Sequence, residues 1–170
     1  MGDELAAAGK AMAERFVAGG RLFTFGNGGS ATDAEAVAHL YTEPPSGRAL
    51  PARSLAEDQA VMTALGNDVG FELVFSRQLI AHGRKSDIAM GFSTSGNSDN
   101  LMRAFAEARK QGMLTVGIAG TDGGRMAAEG SPVEQCFVVR SDSVHRIQES
   151  QAALNSALWA AVQAALAGTR

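Results

Sequence analysis

Between Phe92 and Asn100 the chain reads Phe-Ser-Thr-Ser-Gly-Asn-Ser-Asp-Asn, with hydroxyls gathered around one glycine. Ser93, Thr94, Ser95 and Ser98 can each donate to an oxyanion, and Gly96 lets the backbone turn sharply. The helical pattern that begins at Asn100 offers unpaired N–H groups and a positive dipole end. That is the chemistry of a phosphate cradle. A second segment, Gly26-Asn27-Gly28-Gly29-Ser30, follows the apolar run Leu22-Phe23-Thr24-Phe25 and again opens a helical pattern. It has neither the spacing of a dinucleotide fingerprint nor a Walker lysine, so nicotinamide cofactors and nucleoside triphosphates fit it poorly. Two anion-accepting loops on one chain point to a small phosphorylated metabolite held between them.

Such loops need strands behind them and helices in front. The pattern predicts helices over Asp3–Ala18, Ser30–Tyr41, Asn100–Lys110 and Val144–Leu166, and two more within Asp58–His82, interrupted at Gly66-Asn67-Asp68. Strands are predicted over Leu22–Phe25, Leu50–Leu55, Ile88–Phe92, Leu114–Ile118 and Cys136–Val139. Apolar strands separated by helices imply a parallel sheet of about five strands with both faces covered, since right-handed crossovers place helices on each side. The expected fold class is therefore α/β, a three-layer α/β/α sandwich. In such sheets ligands sit beyond the C-terminal ends of the strands, at a topological switch point. Both glycine-serine loops fall at that edge.

At 170 residues and 45% hydrophobic content, the chain suits one domain spanning 1–170. A formal net charge of −3 gives no basic surplus, so direct nucleic-acid binding is not expected. The single cysteine, Cys136, excludes an intrachain disulfide framework and reads as a buried core thiol. Residues 1–16 carry Asp3, Glu4, Lys10 and Glu14 with no continuous apolar stretch, and Leu154–Ala167 is too short to span a bilayer. A soluble, cytoplasmic protein without membrane association is the expectation. Leu154, Ala157, Leu158, Ala161 and Val162 leave the last helix apolar on more than one face, which suggests self-association through the terminal helices, 1–18 and 144–166.

Gly26-Asn27-Gly28-Gly29-Ser30, Gly66-Asn67-Asp68 with Phe71 and Phe75-Ser76-Arg77, the Ser93–Ser98 run, Asp122-Gly123-Gly124 and Arg146-Ile147-Gln148-Glu149 together resemble the phosphoheptose isomerase (sedoheptulose 7-phosphate isomerase) group of sugar isomerase (SIS) domains. The resemblance runs in one order from about Val17 onward. It implies a flavodoxin-like SIS fold, a homotetramer with active sites at subunit interfaces, and a sugar phosphate as ligand. By the same resemblance, Ser30, Ser93, Thr94, Ser95 and Ser98 match positions that hold the phosphate. Asn27, Gly28, Gly29, Asn67, Asp68 and Gln148 match positions that line the sugar.

The resemblance also implies a zinc and acid–base group: a His and a Glu four residues apart on the helix after the first glycine loop, a glutamine, and a later histidine. Here those positions read Ala36, Leu40, Gln148 and Ser156. No zinc or other cofactor is therefore expected. Interconverting a ketose and an aldose phosphate moves a proton between adjacent carbons and needs a general base with an acid or metal near the oxygen. Glu35 and His39 are also four apart, but one residue earlier, which turns them by about 100° around a helix, and their order is reversed. His145, three residues before Gln148, is a third candidate base, because an imidazole titrates near neutrality. Two readings follow. The chain is a sugar-phosphate isomerase with a rearranged catalytic group, or a sugar-phosphate sensor or scaffold for a protein partner, as in relatives lacking the catalytic pair that associate with the bacterial replication initiator.

Overall fold

Among the described residues five strands form, four on largely apolar runs and β2 on Ala-Arg-Ser: β1 Leu22–Gly26, β2 Ala52–Ser54, β3 Ile88–Ser93, β4 Leu114–Gly120 and β5 Gln135–Val139. The helices are α1 Gly2–Val17, α2 Gly29–Thr42, α3 Gln59–Asp68, α4 Val74–His82, α5 Asp99–Lys110 and α6 Val144–Ala167. These elements are those of a computed structural model that describes residues 2–168. All strand pairs are parallel, in the order β2-β1-β3-β4-β5. From β1 the chain steps outward to β2, then returns to β3 on the other side of β1. The switch point therefore lies between β1 and β3.

Alternation along each strand divides the core into two layers. Leu22, Ile88, Met90, Phe92, Val116 and Ile118 face α1, α2 and α6, where they meet Met12, Phe16, Val37, Tyr41 and Trp159. Phe23, Phe25, Ala89 and Ala119 face α4 and α5, against Phe75, Leu79, Leu101 and Phe105. Phe25 holds the second layer together, with its ring centroid 5.5 Å from Phe75 and 5.1 Å from Phe105. Because α2 and α5 cover opposite faces, the segments leaving β1 and β3 diverge. A crevice opens between them.

Several sequence expectations need correction. Gly66-Asn67-Asp68 does not interrupt a helix: α3 runs through it to Asp68, held at its start by the Asp58 carboxylate accepting from Val61 N at 3.0 Å. A single helical glycine costs only about 1 kcal/mol, less than a cap and the following turn supply. β2 is shorter than Leu50–Leu55, since only Ala52–Ser54 pair with β1. Cys136 is half-buried rather than a core thiol, because β5 is an edge strand, and burial still pushes the thiol up to about 11. Among the described residues, no helix is long and apolar enough to cross a membrane.

Candidate functional site

Gly26 pairs with Phe92 in the β1–β3 register, so the first glycine loop and the serine-rich loop start side by side. In the second, Gly96 N donates to Ser93 Oγ at 3.0 Å, and Ser93 Oγ lies 3.4 Å from Ser98 Oγ. Asn97 N donates to Ser95 Oγ at 3.2 Å. Ser93 is buried, Thr94 and Ser98 are half-buried and Ser95 is exposed, so the hydroxyls climb from the floor of the crevice to its rim. Ser98 is the N-cap of α5 and makes no side-chain capping bond. The first turn of α5 also carries the Asp99 carboxylate, and its Leu101 N donates to Asn100 Oδ1 at 3.0 Å.

A third segment, after β4, clamps the cradle from the other side. Met126 N donates to Gly96 O at 3.1 Å and Arg125 N donates to Asn97 Oδ1 at 3.0 Å. The Arg125 guanidinium reaches Asp99 at 3.2 Å, and Arg103 reaches the same carboxylate at 2.8 Å. Hydrogen bonds from Arg103 and then Arg125 hold the Asp99 carboxyl below the usual carboxylate range. Glu72 also acts on Arg103, so two guanidinium groups and two carboxylates form one charge-balanced network beside the cradle.

Across the crevice, Ser30 is buried at the start of α2, its N–H donating to Asn27 O at 3.0 Å. Gly28 and Gly29 are exposed. The Gln148 amide packs so closely over Gly29 that a β-carbon there would lie 2.2 Å from Gln148 Nε2. The Gln148 amide also faces Asp33, a residue that no sequence motif singled out. Burial pushes the Asp33 carboxyl up, with the Gln148 amide opposing it, and Asp33 Oδ2 is buried without a hydrogen-bond partner among the described residues. The available signal was its spacing: Asp33 stands one helical turn after Gly29, on the side that meets Gln148.

The remaining candidates are exposed side chains on α2, α3 and α6. Asn67 and Asp68 are exposed in the last turn of α3, where Asn67 Nδ2 donates to Asp68 Oδ1 at 2.8 Å. Glu35 and His39 are exposed on α2, and the imidazole faces Glu43, with His39 Nε2 3.8 Å from Glu43 Oε2, rather than Glu35. His145 is exposed in the first turn of α6, behind the Ser143 cap, one turn before Gln148. Ala36 is exposed, Leu40 packs against the core, and Ser156 donates its hydroxyl to Ala152 O at 3.1 Å. Among the described residues, no three His, Cys, Asp or Glu side chains gather as a metal centre.

Residues 2–120 match the family described as the SIS domain. The chain is similar to the phosphoheptose isomerase of Leptospira biflexa, 40% identical over 166 residues that make up 95% of this chain and 84% of that protein. It is also 40% identical to the phosphoheptose isomerase of Paramagnetospirillum magneticum, over 93% of this chain and 82% of that one. Among solved structures, the phosphoheptose isomerase of Neisseria gonorrhoeae superposes with a TM-score of 0.86 at 35% identity, covering 94% of this chain and 86% of that chain. The enzyme from Francisella tularensis gives 0.86 at 30% identity, covering 95% and 85%.

Proposed function

The chain belongs to the SIS domain family, in its phosphoheptose isomerase group, and from that membership we propose that it binds a phosphorylated sugar in the crevice between β1 and β3. The phosphate lies on Ser93, Thr94, Ser95 and Ser98 at the positive end of α5. The sugar extends toward Gly28, Gly29, Ser30 and Gln148. The observation that supports this reading is the three-loop cradle itself: hydroxyls, turn glycines and the N-terminus of α5 converge at the switch point of the sheet.

The zinc implied by family resemblance does not fit the side chains present. A methyl group at Ala36, an isobutyl group at Leu40 and a hydroxyl that Ser156 donates to the Ala152 carbonyl leave Gln148 as the one ligating group of that pattern. The reading is thus of a protein that recognises a sugar phosphate without zinc-dependent isomerisation. Any proton transfer must come from another base, and His145 is the best placed of Glu35, His39 and His145, one turn from Gln148 on α6. With this reading we place the protein in the cytoplasm as a homotetramer, open to a protein partner. Exposed Val17, Phe71, Ile80 and Val144 support association between subunits.

The test is exchange of the C1 and C2 protons of sedoheptulose 7-phosphate in deuterated water, followed by NMR with and without added zinc. Broadened ligand signals without exchange are expected. Exchange above the no-protein control would establish isomerase-type proton abstraction, and His145→Ala should then abolish it while leaving affinity intact. Absence of broadening at high protein concentration would overturn the sugar-phosphate assignment.

A further inference from the structure

Asn27 and Asn100 stand 73 positions apart yet exchange both amide hydrogen bonds: Asn27 Nδ2 donates to Asn100 Oδ1 at 2.9 Å, and Asn100 Nδ2 donates to Asn27 Oδ1 at 2.9 Å. Asn100 is 4% exposed, and its Oδ1 also accepts from Leu101 N at 3.0 Å. Asn27 directly follows β1 in the segment leading to α2, on one face of the sheet. Asn100 lies in the first turn of α5, on the opposite face. The amide pair therefore bridges the crevice where the two loops separate. On the β4 side the cradle is tied by Met126 N to Gly96 O and by Arg125 N to Asn97 Oδ1. On the β1 side, Asn27 and Asn100 supply the tie.

A reciprocal amide pair is geometrically exacting. Each partner must present its oxygen and its nitrogen in the same plane, at one separation, so the pair fixes distance and orientation together. In a site sheltered from water it is also costly to break, because truncating one side chain strands a donor and an acceptor on the other. The same commitment decides what Asn27 is free to do. Its carbonyl oxygen accepts from Asn100 and one amide hydrogen goes to Asn100, so the position of the side chain is fixed while one lone pair and one amide hydrogen remain.

We propose that Asn27 and Asn100 are positioning residues whose amide pair sets the spacing between the Gly28-Gly29-Ser30 turn and the Ser93–Ser98 cradle. The pair acts on the ligand through the spacing it sets. The ligand arm of the test rests on the sugar-phosphate reading above; the exchange arm does not.

The experiment compares the intact protein with Asn27→Ala, Asn100→Ala and the double variant. Titration calorimetry with sedoheptulose 7-phosphate should show each single change weakening binding about tenfold, and the double variant binding no worse than either single one. In the free protein, hydrogen exchange should quicken at residues 28–32 in Asn100→Ala and at residues 99–102 in Asn27→Ala. Each change is thus read at the loop that keeps its own sequence. If Asn100→Ala does not fold, hydrogen exchange at residues 99–102 in Asn27→Ala decides the proposal alone. A further loss from Asn27→Ala in the Asn100 variant would make Asn27 a direct ligand contact and overturn the proposal. Unchanged exchange at both loops would overturn it as well. If the intact protein does not bind the sugar phosphate at all, the sugar-phosphate reading fails, and the exchange measurement alone decides the role of the pair.

Discussion

Gly96 is the tightest point of the cradle, and replacing it by alanine tests whether the clamp between the second and third loops shapes the site. Its φ is +67°, and a β-carbon there would lie 2.0 Å from Gly123 O and 2.5 Å from the Gly123 carbonyl carbon. Backbone cannot swing aside as a side chain does, so the two loops must part by more than about 1 Å to restore ordinary contact distance. That displacement acts on three hydrogen bonds: Gly96 N to Ser93 Oγ at 3.0 Å, Met126 N to Gly96 O at 3.1 Å and Arg125 N to Asn97 Oδ1 at 3.0 Å. At about 1 kcal/mol each, with about 1 kcal/mol for alanine at positive φ, the loss comes to about 4 kcal/mol. For a chain of this size that lowers Tm by about 12 °C. Gly19 supplies the control, since its φ is +80° but nothing lies within 4 Å of the β-carbon position. Gly19→Ala should cost about 1 kcal/mol, or about 3 °C. Calorimetric melting of both variants, with titration of sedoheptulose 7-phosphate, separates strain from collision. Gly96→Ala should lose measurable binding while Gly19→Ala retains it. Equal melting temperatures with full affinity in Gly96→Ala would refute the clamp.

Ser95→Ala combined with Ser98→Ala should weaken sugar-phosphate binding by about 1–3 kcal/mol through hydrogen bonds lost to a charged group, as read by titration calorimetry. Asp33→Asn should raise Tm at pH 7. Burial lifts the native carboxyl above its ordinary value of 3.8, so its contribution to stability is full below that value and is lost as pH climbs through the raised one. Melting scans should therefore show the variant's advantage shrinking as pH falls toward the ordinary value, and an advantage constant with pH would contradict this account. Tyr41→Phe should stabilise the fold by about 1 kcal/mol in urea unfolding, because the Tyr41 hydroxyl is buried without a partner while its ring contacts with Trp159 and Phe16 survive the change.

What was legible in the chain, and what was not, divides along the range of the interactions. Strands buried on both faces are unbroken apolar runs, so β1, β3 and β4 stand out in the composition of their segments. The two glycine- and hydroxyl-rich loops after β1 and β3 are equally visible, because turn glycines are a local requirement. Edges are harder. β5 reads as apolar as β4, and only its place at the sheet margin leaves Cys136 half-buried. Helical spacing shows which side chains can meet, not which do: His39 is four residues from both Glu35 and Glu43, and the fold pairs it with Glu43. Asp33 has the sequence signature of any polar residue on a helix until α6 lays Gln148 against it.

Asn27 shows the same limit at the site itself. Its neighbours Gly26, Gly28 and Gly29 mark the loop as a place where backbone approaches a ligand, and by association the asparagine reads as a sugar contact. The partner that engages its amide lies on another helix and the opposite face of the sheet, beyond the reach of any local pattern. Residue types state which groups can bind a phosphate. The topology, by sending α2 and α5 to opposite faces and bringing the ends of β1 and β3 together, decides that Asn27 meets Asn100.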